Sequence, residues 1–216
     1  MSKQNQPLFS ALMFLLIVLS SPAAETNLLS TLSPKLKSFV AANPAALTAL
    51  TNTLFSTFSG RSVQILYFYS QDHSRPRAFH YYPQIVGAPE VCLCIRENQN
   101  TLDELITIVF ESLNSKNEKG FLELMQQGAS GTLSRTEFAT RVLKLEFESM
   151  KATRDLLRSL RLTKKQRSGS ETYNDIIACP DGLADFLPFL TKTWTNRNPM
   201  REYEAAYDAL RKKQGD

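Results

Sequence analysis

A single carboxylate stands within the apolar side of the longest predicted helix. At about 100° per residue, Glu146 falls in the middle of an arc formed by Phe138, Ala139, Val142, Leu143, Leu145, Met150, Leu156, Leu157 and Leu160. A carboxylate in such a stripe is costly unless it is paired, protonated or bound to a cation. The pattern predicts a buried salt bridge to Arg77 or Arg96, a stripe that opens to solvent at this turn, or a functional carboxylate.

The chain's two histidines point to no familiar catalytic group. Asp72, His73 and Ser74 have the letters of a catalytic triad, but triad members meet from separate segments and do not align as neighbours in one loop. His80 falls in an aromatic strand, where a packed or hydrogen-bonded histidine is the commoner case. The chain also has no phosphate-binding glycine motif and no nucleophile elbow, so the sequence predicts neither a nucleotide site nor a serine hydrolase.

A row of cations recurs every three or four residues along the long helix and just past it. Its members are Lys151, Arg154, Arg158, Arg161 and Lys165. Such a row can meet an anionic surface such as lipid headgroups or nucleic acid. A solvated helix face, paired with nearby acids, is the more frequent case.

Three cysteines could form one disulfide bond. Cys92 and Cys94 are two residues apart in a predicted strand and would share a face. In an oxidising compartment, a bridge from one of them to Cys179 is therefore the favoured pairing. Three buried free thiols are the alternative. A catalytic cysteine is not expected, because nothing in the pattern would lower a thiol pKa.

The start of the chain has the three-part pattern of a secretory signal. Lys3 precedes an apolar run from Leu8 to Leu19, and the small-residue stretch Ser20 to Ala24 follows. The apolar run is about a dozen residues, whereas a membrane span needs roughly 20. We therefore predict a signal peptide over residues 1–24, cleavage near Ala24 and an exported domain, periplasmic or secreted, over residues 25–216. Loss of Lys3 would lower the formal net charge from +4 to about +3, too mild an excess to identify a nucleic-acid binder.

The order of predicted elements favours an α+β domain. Two helices, Leu28 to Val40 and Pro44 to Phe58, precede strand-like runs at 63–69, 78–82 and 90–95. From residue 101 the period becomes helical, with capping boxes at Thr101/Glu104 and Ser134/Glu137. Residues 164–170 read as a basic, flexible break before two further helices. The expected fold has N-terminal helices, a small three- to four-stranded sheet and a mostly helical C-terminal half.

This layout resembles the zincin metallopeptidases, in which the helix after the sheet has an H-E-x-x-H motif with two zinc-binding histidines. In this chain Phe110-Glu111-Ser112-Leu113-Asn114 occupies that place. Glu111 matches the general base, while Phe110 and Asn114 stand where the histidines would be. Phenylalanine cannot ligate a metal and asparagine is a poor zinc ligand. The resemblance therefore implies a vestigial site without metal or cofactor, with Glu146 in the place of a third ligand. An ordinary amphipathic helix explains the same five residues.

Three functions are compatible with these patterns. The first is an exported binding or structural protein with a vestigial, metal-free zincin-like core and a cleft suited to a peptide or protein partner. The second is a hydrolase with an atypical site around Glu111, Glu146 and His80. The third is a helical interaction module that docks on its partner through the basic row. The first and third predict a protein that is not an enzyme.

Overall fold

The computed structural model describes residues 16–18, 32–58, 62–68, 78–81, 90–97, 99–193 and 198–215. Helices account for most of these residues, and the strands are short. The predicted leader lies outside the described residues except for one strand, β1 (Leu16–Val18). A mature chain cut near Ala24 would therefore lack β1.

The two N-terminal helices contact each other and are joined by a two-residue turn. Helix α1 (Pro34–Ala41) begins at a proline, and the Ser33 side chain caps it by accepting from the Leu36 amide. Helix α2 (Pro44–Phe58) also begins at a proline, as predicted. Leu36, Val40, Leu50, Leu54 and Phe58 recur at helical spacing and are buried, which fixes the inner faces of both helices.

Three longer helices follow the strands. Helix α3 (Thr101–Ser115) has Asn100 as its N-cap, so the predicted capping box of Thr101 and Glu104 is wrong. Helix α4 (Glu118–Ser130) ends at Gly131, whose φ of 75° suits a residue without a Cβ. Helix α5 (Arg135–Ser159) opens with the predicted capping box of Ser134 and Glu137, which is confirmed.

Four further helices follow in the described residues after α5. The first, α6 (Lys164–Arg167), is a single turn that opens with a capping box of Thr163 and Gln166; the predicted flexible break is therefore partly helical. The others are α7 (Glu171–Ile177), α8 (Leu183–Thr193) and α9 (Pro199–Gly215).

The sheet is a parallel pair of strands with a fragment on either side. Strands β2 (Ser62–Phe68) and β4 (Glu90–Arg96) pair in parallel over seven residues. On the outer edges, β1 pairs with β2 over three residues and β3 (Ala78–Tyr81) pairs with β4 over four, both antiparallel. Ile65, Leu93 and Ile95 are buried, and β4 packs against α3.

The predicted α+β class with a three- to four-stranded sheet is wrong. The protein is mostly helical, and its one extended strand pairing is the parallel pair β2–β4. The predicted strands lie where strands are observed, but the composition of a strand does not reveal how large a part of the fold its sheet forms. Here helices supply most of the surface that the core buries.

The buried apolar side chains of the described residues form two clusters. The larger surrounds α3, twelve of whose fifteen residues are buried, and takes side chains from α1, α2, β2, β4, α5, α7 and α8. The smaller lies between α4, the first half of α5 and α9, with Phe121, Phe138 and Val142 at its centre. A helix buried on all sides, as α3 is, sits inside the domain rather than on its surface.

Two neighbouring carboxylates at the start of α3 connect it to the elements around it. Glu104 accepts hydrogen bonds from the Ser33 hydroxyl at 2.7 Å and from the Tyr67 hydroxyl at 2.8 Å. Asp103 accepts a hydrogen bond from the Ser170 hydroxyl, and Ser170 is the N-cap of α7. Both carboxylates are buried, so these donors replace the water that each would otherwise bind.

Replacing Glu104 with alanine should destabilise the fold because two hydroxyls lose their acceptor. We expect the free energy of unfolding to fall by about 3 kcal/mol, measured by urea denaturation at unchanged slope. Glu123→Ala, which removes an exposed carboxylate of α4, is the matched control and should change it by about 0.5 kcal/mol or less. Equal losses in the two variants would contradict a structural role for Glu104.

Tyr67 makes the same network sensitive to alkali. Burial, then the charge and hydrogen bond of Glu104, raise the pKa of Tyr67 well above its ordinary value. The folded protein therefore keeps this proton at a pH where the unfolded chain releases it, which occurs above about pH 10. The stability that Tyr67 adds should be present in full below that pH and decline above it. The difference in unfolding free energy between wild type and Tyr67→Phe should thus shrink in alkali. A difference that stays constant to pH 11 would argue against a raised pKa of Tyr67 in the folded protein.

Candidate functional site

The polar side of α3 is buried together with its apolar side. Within about a third of the helix circumference lie Asp103, Glu104, Thr107, Glu111, Asn114 and Ser115, and all six are buried. Thr107 donates to the Gln99 side chain at 3.3 Å, and Ser115 donates to the Glu111 carbonyl at 2.9 Å. This face supplies polar contacts inside the domain.

The five residues that resemble the metallopeptidase motif lie on this central helix. Phe110 packs against the larger core, and the Glu111 side chain is buried. Asn114 is only 3% exposed, and its Oδ1 atom has no hydrogen-bond partner among the described residues. The resemblance therefore stays a prediction that rests on Glu111.

Two of the predicted cleft residues, Glu146 and His80, lie outside α3, and the structure describes the side chain of Glu146 alone. Glu146 is half-buried and accepts a hydrogen bond from the Tyr203 hydroxyl of α9. Tyr203 packs against both core clusters, so this contact lies at the seam between them. His80 pairs with Leu93 through the β3–β4 register, but its side chain lies outside the described residues, as does Arg77. In the described part of the chain, no three His, Cys, Asp or Glu side chains are grouped to hold a metal ion.

Arg154 is the main exception to the predicted basic row. Its side chain is 3% exposed, and it binds the carboxylates of Asp155 at 3.0 Å and Asp181 at 2.6 Å. It also donates to the Cys179 carbonyl at 2.6 Å. Burial opposes the charge of Arg154, but the two carboxylates outweigh it and raise the pKa of Arg154; the same contact lowers the pKa of Asp181. Arg154 therefore joins α5 to the segment between α7 and α8.

Five exposed cations lie at the end of α5 and just after it, and we call this group the basic cluster. Between Asp155 and Glu171 the chain has five cationic residues and no acidic one. All five are exposed: Arg158, Arg161, Lys164, Lys165 and Arg167. Lys151, from the predicted row, is half-buried one turn before Arg154. The predicted row lacks Lys164 and Arg167, which belong to the predicted basic break over residues 164–170, and the absence of acids throughout residues 156–170 was the signal that joins the two.

Most members of the basic cluster have no acidic partner among the residues that the structure describes. Arg158 lies 3.9 Å from Asp155, but Arg161, Lys164, Lys165 and Arg167 form no ion pair with any residue that the structure describes. The Arg167 guanidinium lies 5.8 Å from the centre of the Tyr173 ring, a cation–π contact that leaves its charge available. Arg161 has a φ of 48°, which turns the chain from α5 towards α6.

The position of α6 brings the basic cluster beside the N-terminal helices. The Gln166 amide donates to the Asn43 side-chain oxygen at 2.5 Å, and Asn43 immediately precedes α2. No acidic residue occurs between Glu25 and Asp72, so neither α1 nor α2 has a negative charge to offset the cluster. The positive end of the α2 dipole adds to the same field.

The cysteines have no described catalytic or bridging role. Cys94 and Cys179 are both buried and do not form a disulfide with each other; the Cys92 side chain lies outside the described residues. Burial raises the pKa of Cys179 to about 11, so its thiol is protonated at neutral pH and is a weak nucleophile.

Comparisons with family models, with curated proteins and with solved structures give no match to this chain. None of the described helices combines the length and apolar character needed to cross a bilayer.

Arg154 and Arg158, one turn apart on α5, should differ sharply in their effect on stability. Arg154→Met removes charge-assisted hydrogen bonds in a buried setting, and we expect the free energy of unfolding to fall by about 2 kcal/mol. Arg158→Met removes an exposed charge and should cost about 0.5 kcal/mol or less. Thermal and urea unfolding of both variants would measure the two free-energy changes. Similar losses at the two positions would refute the structural role of the buried Arg154 contacts.

Proposed function

We propose that this protein is an exported helical interaction module that binds an anionic partner through its basic cluster. The observation that carries the proposal is the group of five exposed cations between Asp155 and Glu171, most of them without an acidic partner in the described structure. Cations that lie close together in the chain repel each other when no acid offsets them, and an anionic partner relieves that repulsion. The leader pattern over residues 1–24 supports export.

Charge rather than apolar contact is the stronger feature of the described surface. Met125, at 38% exposure, is the one large apolar side chain in the described residues that is classed as exposed. Interaction surfaces that rely on apolar burial present contiguous apolar patches. A surface that offers mainly cations favours a partner recognised by its negative charge, with fast, salt-sensitive association.

A catalytic function has weaker support from the described residues. Glu111 lies in the interior of α3 with 7% exposure, which leaves little room for a substrate to reach its carboxylate. Glu146 is engaged by Tyr203 of α9. A binding role needs neither group and uses side chains that are already at the surface.

Binding to heparin, a sulfated polysaccharide, tests the proposal with a generic anionic probe. We expect wild type to bind and the affinity to fall steeply as salt rises, because exposed charges are screened. Arg161→Glu/Lys165→Glu should weaken binding by about tenfold or more, since each cation near an anionic surface contributes about 1 kcal/mol. Affinity would be measured by surface plasmon resonance at several salt concentrations.

The matched control is Lys144→Glu/Lys212→Glu, which makes the same charge change at exposed positions of α5 and α9. This control should retain most of the affinity. If both pairs weaken binding equally, net charge rather than the basic cluster is responsible. No binding by wild type at low salt would refute the proposal outright.

A further inference from the structure

An open groove lies between α2 and the last turns of α5. Its volume is about 570 Å³, and its walls include Ala45, Thr48, Ala49 and Asn52 from α2 with Leu156 and Leu160 from α5. The four α2 positions follow the i, i+3, i+4, i+7 spacing of one helix face. Small side chains along such a face allow another backbone to approach closely.

The groove is uncharged inside and ends beside cations. All of its lining residues are neutral. Arg161 follows the lining residue Leu160 directly, and the hydrogen bond from Gln166 to Asn43 holds α6 next to the start of α2. The amide groups of Ala45 and Ala46 make no hydrogen bond with a described residue, as expected for the first turn of a helix. Neutral walls with a positive end complement an elongated ligand that is neutral on one side and acidic near one end.

We propose that this groove binds an acidic amphipathic helix of a partner protein. This inference rests on the proposed function and narrows it to a polypeptide partner. The small apolar side of the helix would lie on Ala45, Ala49 and the two leucines, and its carboxylates would meet Arg161, Lys164 and Lys165. Binding of an amphipathic helix in a groove is an established mode of peptide recognition.

The polar lining distinguishes a helix from a lipid chain as the occupant. Thr48 and Asn52 are exposed, and their hydroxyl and amide groups can hydrogen-bond to polar side chains of a peptide. An acyl chain would cover these groups without offering a partner, at a cost in free energy.

A small series of fluorescein-labelled acidic amphipathic peptides tests the inference. Each would have about 20 residues, long enough to form a helix, and would differ in its apolar face. Each would be paired with an analogue in which glutamine replaces glutamate. Anisotropy titration with the full chain should show that at least one acidic peptide binds about tenfold more tightly than its neutral analogue.

Ala45→Trp separates the groove from the basic cluster because it fills the groove without changing any charge. We expect it to weaken binding of the acidic peptide by about tenfold while heparin binding stays at the wild-type level. Ala205→Trp, at an exposed position of α9, is the control for adding an indole. It should leave the binding of both the peptide and heparin at the wild-type level. Circular dichroism and thermal unfolding would establish that the two variants are equally folded.

The outcomes distinguish this inference from the proposed function. Heparin binding without binding of any acidic peptide would overturn the inference and leave the proposed function standing. Peptide binding that Ala45→Trp leaves unchanged would also overturn it. If Ala45→Trp instead abolishes binding to phosphatidylserine vesicles and not to the peptides, the groove holds a lipid chain, which again overturns it. If wild type binds neither heparin nor any of the peptides, the proposed function is refuted.

Discussion

The fold depends on two adjacent buried carboxylates at the start of α3. Asp103 and Glu104 accept hydrogen bonds from Ser170 and Ser33, and each of these serines is the N-cap of another helix. Three helix N-termini therefore surround two negative charges, which suits the positive ends of the helix dipoles. Because Glu104 also binds Tyr67, the parallel strands are held to the same point. Loss of one carboxylate would leave buried donors unsatisfied on several elements at once.

Acidic and basic side chains are distributed differently between the interior and the surface of the protein. Several acids, among them Asp103, Glu104 and Glu111, are placed inside the domain, whereas the cations between Asp155 and Glu171 remain at the surface. A formal net charge of +4 is modest, but its distribution is uneven, since neither α1 nor α2 has an acidic residue. The field that an approaching partner meets depends on this distribution more than on the total charge.

Helix α5 shows how tertiary contacts divide residues that look equivalent in sequence. Arg154 and Arg158 both belong to the predicted basic row, yet Arg154 is enclosed by Asp181 and the Cys179 carbonyl while Arg158 is exposed. Glu146 accepts a hydrogen bond from the Tyr203 hydroxyl of α9, a contact that the sequence did not predict, and Arg77 lies outside the described residues. The partners of these residues come from α7–α9, and helical periodicity within α5 contains no information about them.

Local chemistry in the sequence determined the elements of this protein. The proline at position 44, the capping box at Ser134 and Glu137, and the β-branched runs near residues 63 and 90 placed helices and strands to within a few residues. The first helix is an exception, because it was predicted from Leu28 and begins at Pro34. These signals act between neighbours in the chain, so they can be recognised without a structure. Only the tertiary structure decided that β2 and β4 pair in parallel, that the polar side of α3 is buried, and that α6 lies beside α2. Each of these depends on contacts between residues far apart in sequence, whose free energies are set by packing, desolvation and partner geometry rather than by local preference.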